Sequence, residues 1–204
     1  MTAGDTYKTI EKPTGPEIFK DRKSKFLGYA FPVKSREEVK KYVEQLKKEH
    51  HQARHWCYAY IIGIEKPEER ANDDGEPSNS AGMPILNQIK SKELTNVLVV
   101  VVRYFGGVKL GVSGLINAYK TAAQMVLDEA EIVEKILTRE LYLEFGYEEM
   151  NKVMRIIKEN NLHIIHQEMT DKVKLQLEIR LDDFERIKNL FEKIYTIKTF
   201  AKNS

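Results

Sequence analysis

The segment Val102-Arg103-Tyr104-Phe105-Gly106-Gly107-Val108-Lys109-Leu110-Gly111-Val112-Ser113-Gly114 has the residue types that most directly imply chemistry. It follows an apolar, β-branched run and precedes an apolar helical one, so it reads as a glycine-rich turn at a strand-to-helix junction. Free backbone N–H groups and a helix dipole meet at such a turn, and both favour an anion. Arg103 and Lys109 would add positive charge. Gly106 and Gly111 have the spacing of a P-loop, but Val112 stands where its lysine belongs, and no G-x-G-x-x-G occurs. The glycines serve equally to make a tight turn and let the helix pack closely on the sheet. Both readings stay open at this point.

Two further clusters invite a chemical reading. Asp73, Asp74 and Glu76 offer paired carboxylates for acid–base work or Mg²⁺, while Asp74-Gly75-Glu76-Pro77 also reads as a plain acidic turn. His50, His51 and His55 lie close in sequence, but H-E-x-x-H is absent and a zinc site needs further ligands, so no metal is expected. Cys57 has only Ala59 and Ile61 on its strand face and reads as a packed, inert thiol. Trp56, Tyr58 and Tyr60 share the other face. They would stack on bases only if that face were open.

The elements that must position these residues follow from periodicity. Tyr7 to Ile10 reads as a short strand, ended by Pro13, Gly15 and Pro16. Phe26 to Val33 is a strand, and Ser35-Arg36-Glu37-Glu38 fits a capping box. The helix behind it buries Val39, Tyr42, Val43 and Leu46. Trp56 to Ile62 is a strand, Glu65 to Gly82 a long polar connection, and Pro84 opens a short helix. Leu94 to Val102 has no polar alternation at its end, as in a strand buried on both faces. Leu115 to Ala130 is helical and apolar on most sides. Beyond it come a strand (Thr138 to Phe145), a helix (Glu148 to Glu159), two strands (Leu162 to Met169, Val173 to Leu181) and a helix (Phe184 to Ile194). That order is most of a ferredoxin-like unit, and the alternation of Val173 to Leu181 implies a sheet with one open face.

The 204 residues are 42% hydrophobic and 31% charged, an ordinary globular balance. The longest apolar run, Val97 to Val102, is far below the roughly 18 residues of a membrane span. The amino terminus has no apolar core behind a positive start, and Cys57 is the single cysteine. A cytoplasmic protein without a secretory signal or disulfide is expected. The net charge is only +2, but Lys8 to Lys48 holds 12 Lys/Arg against 6 Asp/Glu, and Glu65 to Glu76 holds 6 acids against 2 bases. A basic amino-terminal segment of that size can attract polyanions.

Four ordered blocks then carry a resemblance. They are His51-Gln52-Ala53-Arg54-His55-Trp56-Cys57-Tyr58-Ala59, Asn72-Asp73-Asp74-Gly75-Glu76-Pro77-Ser78, Ala81-Gly82-Met83-Pro84-Ile85-Leu86, and Thr95-Asn96-Val97 through Arg103 to Gly111. Together they resemble the IMPACT family, whose bacterial members include the YigZ-like proteins. The resemblance covers the first 130 or so residues, and the remainder resembles the small domain that bacterial members append. It implies an α+β protein of two domains. Residues 1–135 would form an amino-terminal domain like domain 2 of ribosomal protein S5, and residues 136–204 a ferredoxin-like domain. It also implies an association with translation and a nucleic-acid surface.

The expected site for RNA or a ribosome is therefore Arg54, His55, Arg103, Tyr104, Gly106, Gly107 and Lys109, with no cofactor, no metal and no membrane. Asp73, Asp74 and Glu76 remain a possible acidic site for a hydrolase. A protein partner on the second sheet's open face is the third alternative.

Overall fold

The computed structural model describes residues 4–201. The chain divides into two compact units, one formed by Tyr7–Lys135 and the other by Ile136 onward together with the residues before Tyr7. No described helix is long and apolar enough to cross a membrane.

In the first unit, β1 (Thr6–Ile10) pairs with β7 (Ile132–Ile136) in a two-stranded sheet. The main sheet contains β2 (Thr14–Asp21), β3 (Ser24–Pro32), β4 (His55–Ile62), β5 (Glu68–Asn72) and β6 (Val97–Tyr104) in the order β2-β3-β6-β4-β5. Every neighbouring pair is antiparallel. β6 is central, and Val97 to Val102 are fully buried, as an unbroken apolar run in a strand covered on both faces requires.

Strand alternation sends Val97, Val99 and Val101 to one face, against α2 (Gly82–Ser91) and α3 (Gly111–Glu129). Leu98, Val100 and Val102 go to the other face, against α1 (Arg36–Glu49). α1 starts as the sequence predicts. The Ser35 hydroxyl accepts from Glu38 N, while the Glu38 carboxylate accepts from Lys34 N.

Three differences from the sequence reading have physical causes. The Glu65–Gly82 connection contains β5, whose Glu68, Glu69 and Arg70 suit a polar edge strand rather than an apolar core strand. β1 ends at Ile10 ahead of Pro13, but Gly15 and Pro16 lie within a further strand, β2, that the sequence reading lacks; that strand is also an edge, where proline is tolerated, and its register shifts between Thr14 and Glu17. β6 runs on to Tyr104, so Arg103 and Tyr104 are strand residues and not part of the loop.

The second unit runs β8 (Thr138–Phe145), a 3₁₀ turn (Tyr147–Glu149), α4 (Met150–Glu159), β9 (His163–Met169), β10 (Val173–Arg180), α5 (Leu181–Glu192) and β11 (Lys198–Ala201). The strand order β11-β8-β10-β9 completes the βαββαβ ferredoxin-like topology. β11 is too short and polar to show as a periodic signal. Val173, Leu175, Leu177 and Ile179 of β10 are buried beside Leu141, Leu143 and Phe145 of β8, under Phe184, Ile187 and Phe191. The chain is thus an α+β protein of two domains.

Asp5 is 2% exposed, and Arg180 donates to both of its carboxylate oxygens, Nε to Oδ2 at 2.6 Å and Nη2 to Oδ1 at 2.9 Å. These bonds hold the Asp5 carboxyl below its ordinary value of 3.8. A depressed carboxylate contributes stability that is present above the unfolded-state value and is lost as pH falls through the folded one. Replacing Asp5 with Asn should therefore weaken the second unit at pH 7. In urea titrations the gap from the parent should narrow steadily as pH drops below about 4.

Candidate functional site

Arg103 is the next-to-last residue of β6 and His55 begins β4, and the two are direct partners across the sheet. Both point to the face covered by α2 and α3, where Cys57 and Val101 also lie. Over this corner folds the loop after β5. The Asp73 carboxylate accepts from Asn79 N (2.9 Å), Ala81 N (3.1 Å) and Gly82 N (2.8 Å), which supplies the cap that Ala81 cannot give α2. Asp74 accepts from Trp56 N through Oδ2 (2.8 Å), and its carbonyl accepts from His55 Nδ1 (2.8 Å). With its two ends fixed, the loop turns Glu76 inward.

Glu76 Oε1 accepts from Arg103 Nη1 at 2.5 Å and from the Tyr119 hydroxyl at 2.8 Å, and His55 Nε2 lies 3.7 Å away. The Glu76 and Arg103 side chains are 4% and 6% exposed. Arg103 also reaches Ser24 Oγ at 3.5 Å, and its guanidinium sits over the rings of Phe26 and Phe105. Burial pushes the Tyr119 hydroxyl and the Cys57 thiol well above their ordinary values, and the thiol donates to the Asp73 carbonyl.

This arrangement corrects two expectations. Arg103 is not a free cation waiting for phosphate: its charge is balanced inside the fold by Glu76. Asp73, Asp74 and Glu76 do not make one acidic site, because the first caps a helix, the second pins β4, and the third neutralises Arg103.

A cavity of about 550 Å³ opens over this buried pair. It brings together Arg54, His55, Glu76, Arg103 and Lys109 with Phe105 and the first turn of α3. Arg54 and Lys109 are exposed, and Arg22 Nη1 lies 3.4 Å from the Lys109 carbonyl, so the β2–β3 turn with Arg22 and Lys23 adds exposed cations here. α3 begins without a side-chain cap, which leaves its first N–H groups to solvent or to an anion.

Two of the expected glycines are scaffolding. A Cβ on Gly106 would sit 2.1 Å from the Lys23 carbonyl carbon, and its N–H donates to Ser24 Oγ. Gly107 stands in open space with φ +85°, a conformation that favours glycine.

Tyr104 is a third correction. Alternation puts it on the opposite sheet face from Arg103, where its hydroxyl bonds His50 Nδ1 at 2.7 Å. Tyr29 bonds Nε2 of the same ring at 2.6 Å, and its own hydroxyl is pushed up to about 12 by burial. Trp56, Tyr58 and Tyr60 pack on that face against the α1 cluster, so they form no open stacking platform. His50 and His55 lie on opposite sides of the sheet, which breaks up the histidine cluster.

Sequence reasoning missed Tyr119 and Phe105. Tyr119 was hidden in an apolar helix pattern, where only its hydroxyl marked it. Phe105 was readable as an aromatic residue left in a loop.

The division between buried and exposed charge is testable by melting. Arg103→Ala leaves the Glu76 carboxylate buried and unpaired, which should cost about 3–5 kcal/mol of unfolding free energy. Lys109→Ala removes an exposed side chain and should stay within about 0.5 kcal/mol of the parent.

Residues 22–127 match the family model described as the Impact N-terminal domain, and residues 143–194 match a domain of unknown function, DUF1949. The IMPACT family member YvyE of Bacillus subtilis is 32% identical over 97% of this chain and 89% of its own length. The family member YigZ of Escherichia coli is 30% identical over 76% and 78%, respectively. A crystal structure described as that of a hypothetical protein superposes with a TM-score of 0.69 over 98% of both chains at 24% identity, a likeness of fold. The chain belongs to the IMPACT family.

Proposed function

We propose that this protein binds RNA through the cavity beside α3 and works in association with translation. The observation that carries the reading is the convergence of Arg54, Lys109 and the uncapped first turn of α3 on one concave site. Membership of the IMPACT family supports the link to translation. Phosphates meet the exposed side chains of Arg54, Lys109, Arg22 and Lys23, which are flexible, hydrated cations of the kind that hold a backbone without reading its sequence. Arg103 and Glu76 form the rigid floor under them. Phe105, with 44% of its surface exposed, supplies a ring on which a base can stack.

This reading differs from a hydrolase in where its charge lies. The carboxylates of the acidic loop are engaged in holding the fold, whereas the exposed groups around the cavity are mostly cationic. Titration of a fluorescent single-stranded RNA should show affinity that falls steeply with salt. The double variant Arg54→Ala, Lys109→Ala should fold normally, bind at least tenfold more weakly, and lower the slope of log K against log salt by roughly 1.4, about 0.7 per lost phosphate contact on a single strand. Equal binding by parent and variant at all salt concentrations would place the RNA elsewhere.

A further inference from the structure

The floor of the cavity carries groups that a phosphate site does not need. Glu76 takes both of its side-chain hydrogen bonds, from Arg103 and Tyr119, on Oε1. Oε2 therefore has no donor among the described residues, although the side chain is only 4% exposed. Oε2 is not among the buried atoms left without a partner, so it reaches solvent where Glu76 lines the cavity and is free to accept from a ligand. Beside it, His55 has its tautomer fixed: Nδ1 faces the Asp74 carbonyl at 2.8 Å, so that nitrogen carries the proton and donates. When the ring carries that one proton alone, Nε2 presents a lone pair, 3.7 Å from Glu76 Oε1. Both residues line the cavity.

Two neighbouring acceptors at the bottom of a pocket call for a ligand edge with two neighbouring donors. Among the four RNA bases only guanine has one, with N1–H beside the N2 amino group on its Watson–Crick edge. Adenine sets one donor beside an acceptor, cytosine one donor beside two acceptors, and uracil one N–H between two carbonyls. The walls suit a flat heterocycle, since Phe105, Pro77 and Leu115 are apolar, and Arg54 and Lys109 on the same lining can meet an attached phosphate. The volume, about 550 Å³, falls within the usual range for small-ligand sites.

We infer that the cavity receives one unpaired guanine of an RNA strand, with its N1–H and N2 amino group donating to Glu76 Oε2 and His55 Nε2. The inference rests on the RNA reading above and narrows it. A guanine in a duplex hides this edge in its base pair, so the site selects single-stranded segments.

The test edits the ligand and leaves the protein unaltered, because Glu76 variants also disturb the buried pair. Inosine differs from guanosine only by the missing 2-amino group. Binding is measured for a single-stranded RNA with unpaired guanosines, for the same RNA with inosines in their place, and for 5′-GMP against 5′-IMP. Guanine should be preferred roughly tenfold in both pairs, the discrimination expected for one lost base contact in a dry site. RNA that binds equally with guanosine or inosine overturns the guanine pocket and leaves the RNA reading standing. A preference for GMP over IMP without RNA retention supports the pocket and overturns the RNA reading. Failure of every ligand to bind overturns both.

Discussion

The ion pair between Arg103 and Glu76 is the constraint on which the first unit depends. β6 is a central strand of valines, and alternation forces its next inward residue, Arg103, beneath the ends of α2 and α3. A guanidinium there has lost its water, and removing the charge from solvent costs far more than any one apolar contact returns. Its partner comes from 27 residues earlier in the chain, so the loop after β5 has to return across the sheet to deliver Glu76. Asp73 and Asp74 make that return possible: one holds the loop to α2 and the other holds it to β4. Tyr119 adds a second donor from α3 and Ser24 an acceptor from the start of β3. Four segments distant in sequence thus meet at one buried charge.

Such a pair is weak evidence of net stability, since apolar residues of equal volume often hold a core as well. Its effect here is to sort the charges. Arg103 and Glu76 cancel each other inside, and the cations that remain outside, Arg54 and Lys109, line the cavity above them. Tyr104, one residue from Arg103, goes to the other face and joins His50 and Tyr29 there. Neighbours in sequence therefore serve different ends, and the pleat of β6 decides which.

The same pleat explains what was legible in the sequence. Strands with a strong pattern, such as Val97 to Val102 and Val173 to Ile179, and the Ser35 cap were readable because burial and capping leave local signatures. β2, β5, β7 and β11 were not readable, because edge and ribbon strands hold few apolar residues and take their hydrogen bonds from a partner distant in the chain. At the site, the convergence of Arg54, His55 and Lys109 could be guessed from the family-like blocks. The burial of Arg103 could not, because it follows from extending β6 by two residues past the apolar run. A shift of that size moves a side chain from an exposed turn to the core, and composition does not register it.

The two sheets also differ in what they leave for partners. The main sheet of the first unit is covered on both faces, so its ligand groups gather at strand ends and loops, where backbone N–H groups and long cations are free. The second sheet keeps one face open, with Tyr142, Gln176 and Phe200 around a cavity of about 430 Å³. An aromatic sheet face is a known platform for RNA bases, but this one carries Glu144 and Glu168 in the same cavity. Lys172 and Lys174 are paired to those carboxylates, at 3.3 Å and 3.7 Å. Cations already balanced within the sheet offer little to a phosphate backbone, and the carboxylates repel it. The electrostatic argument for a polyanion therefore belongs to the corner beside α3, where the buried Arg103 has its own carboxylate and the exposed cations do not share it.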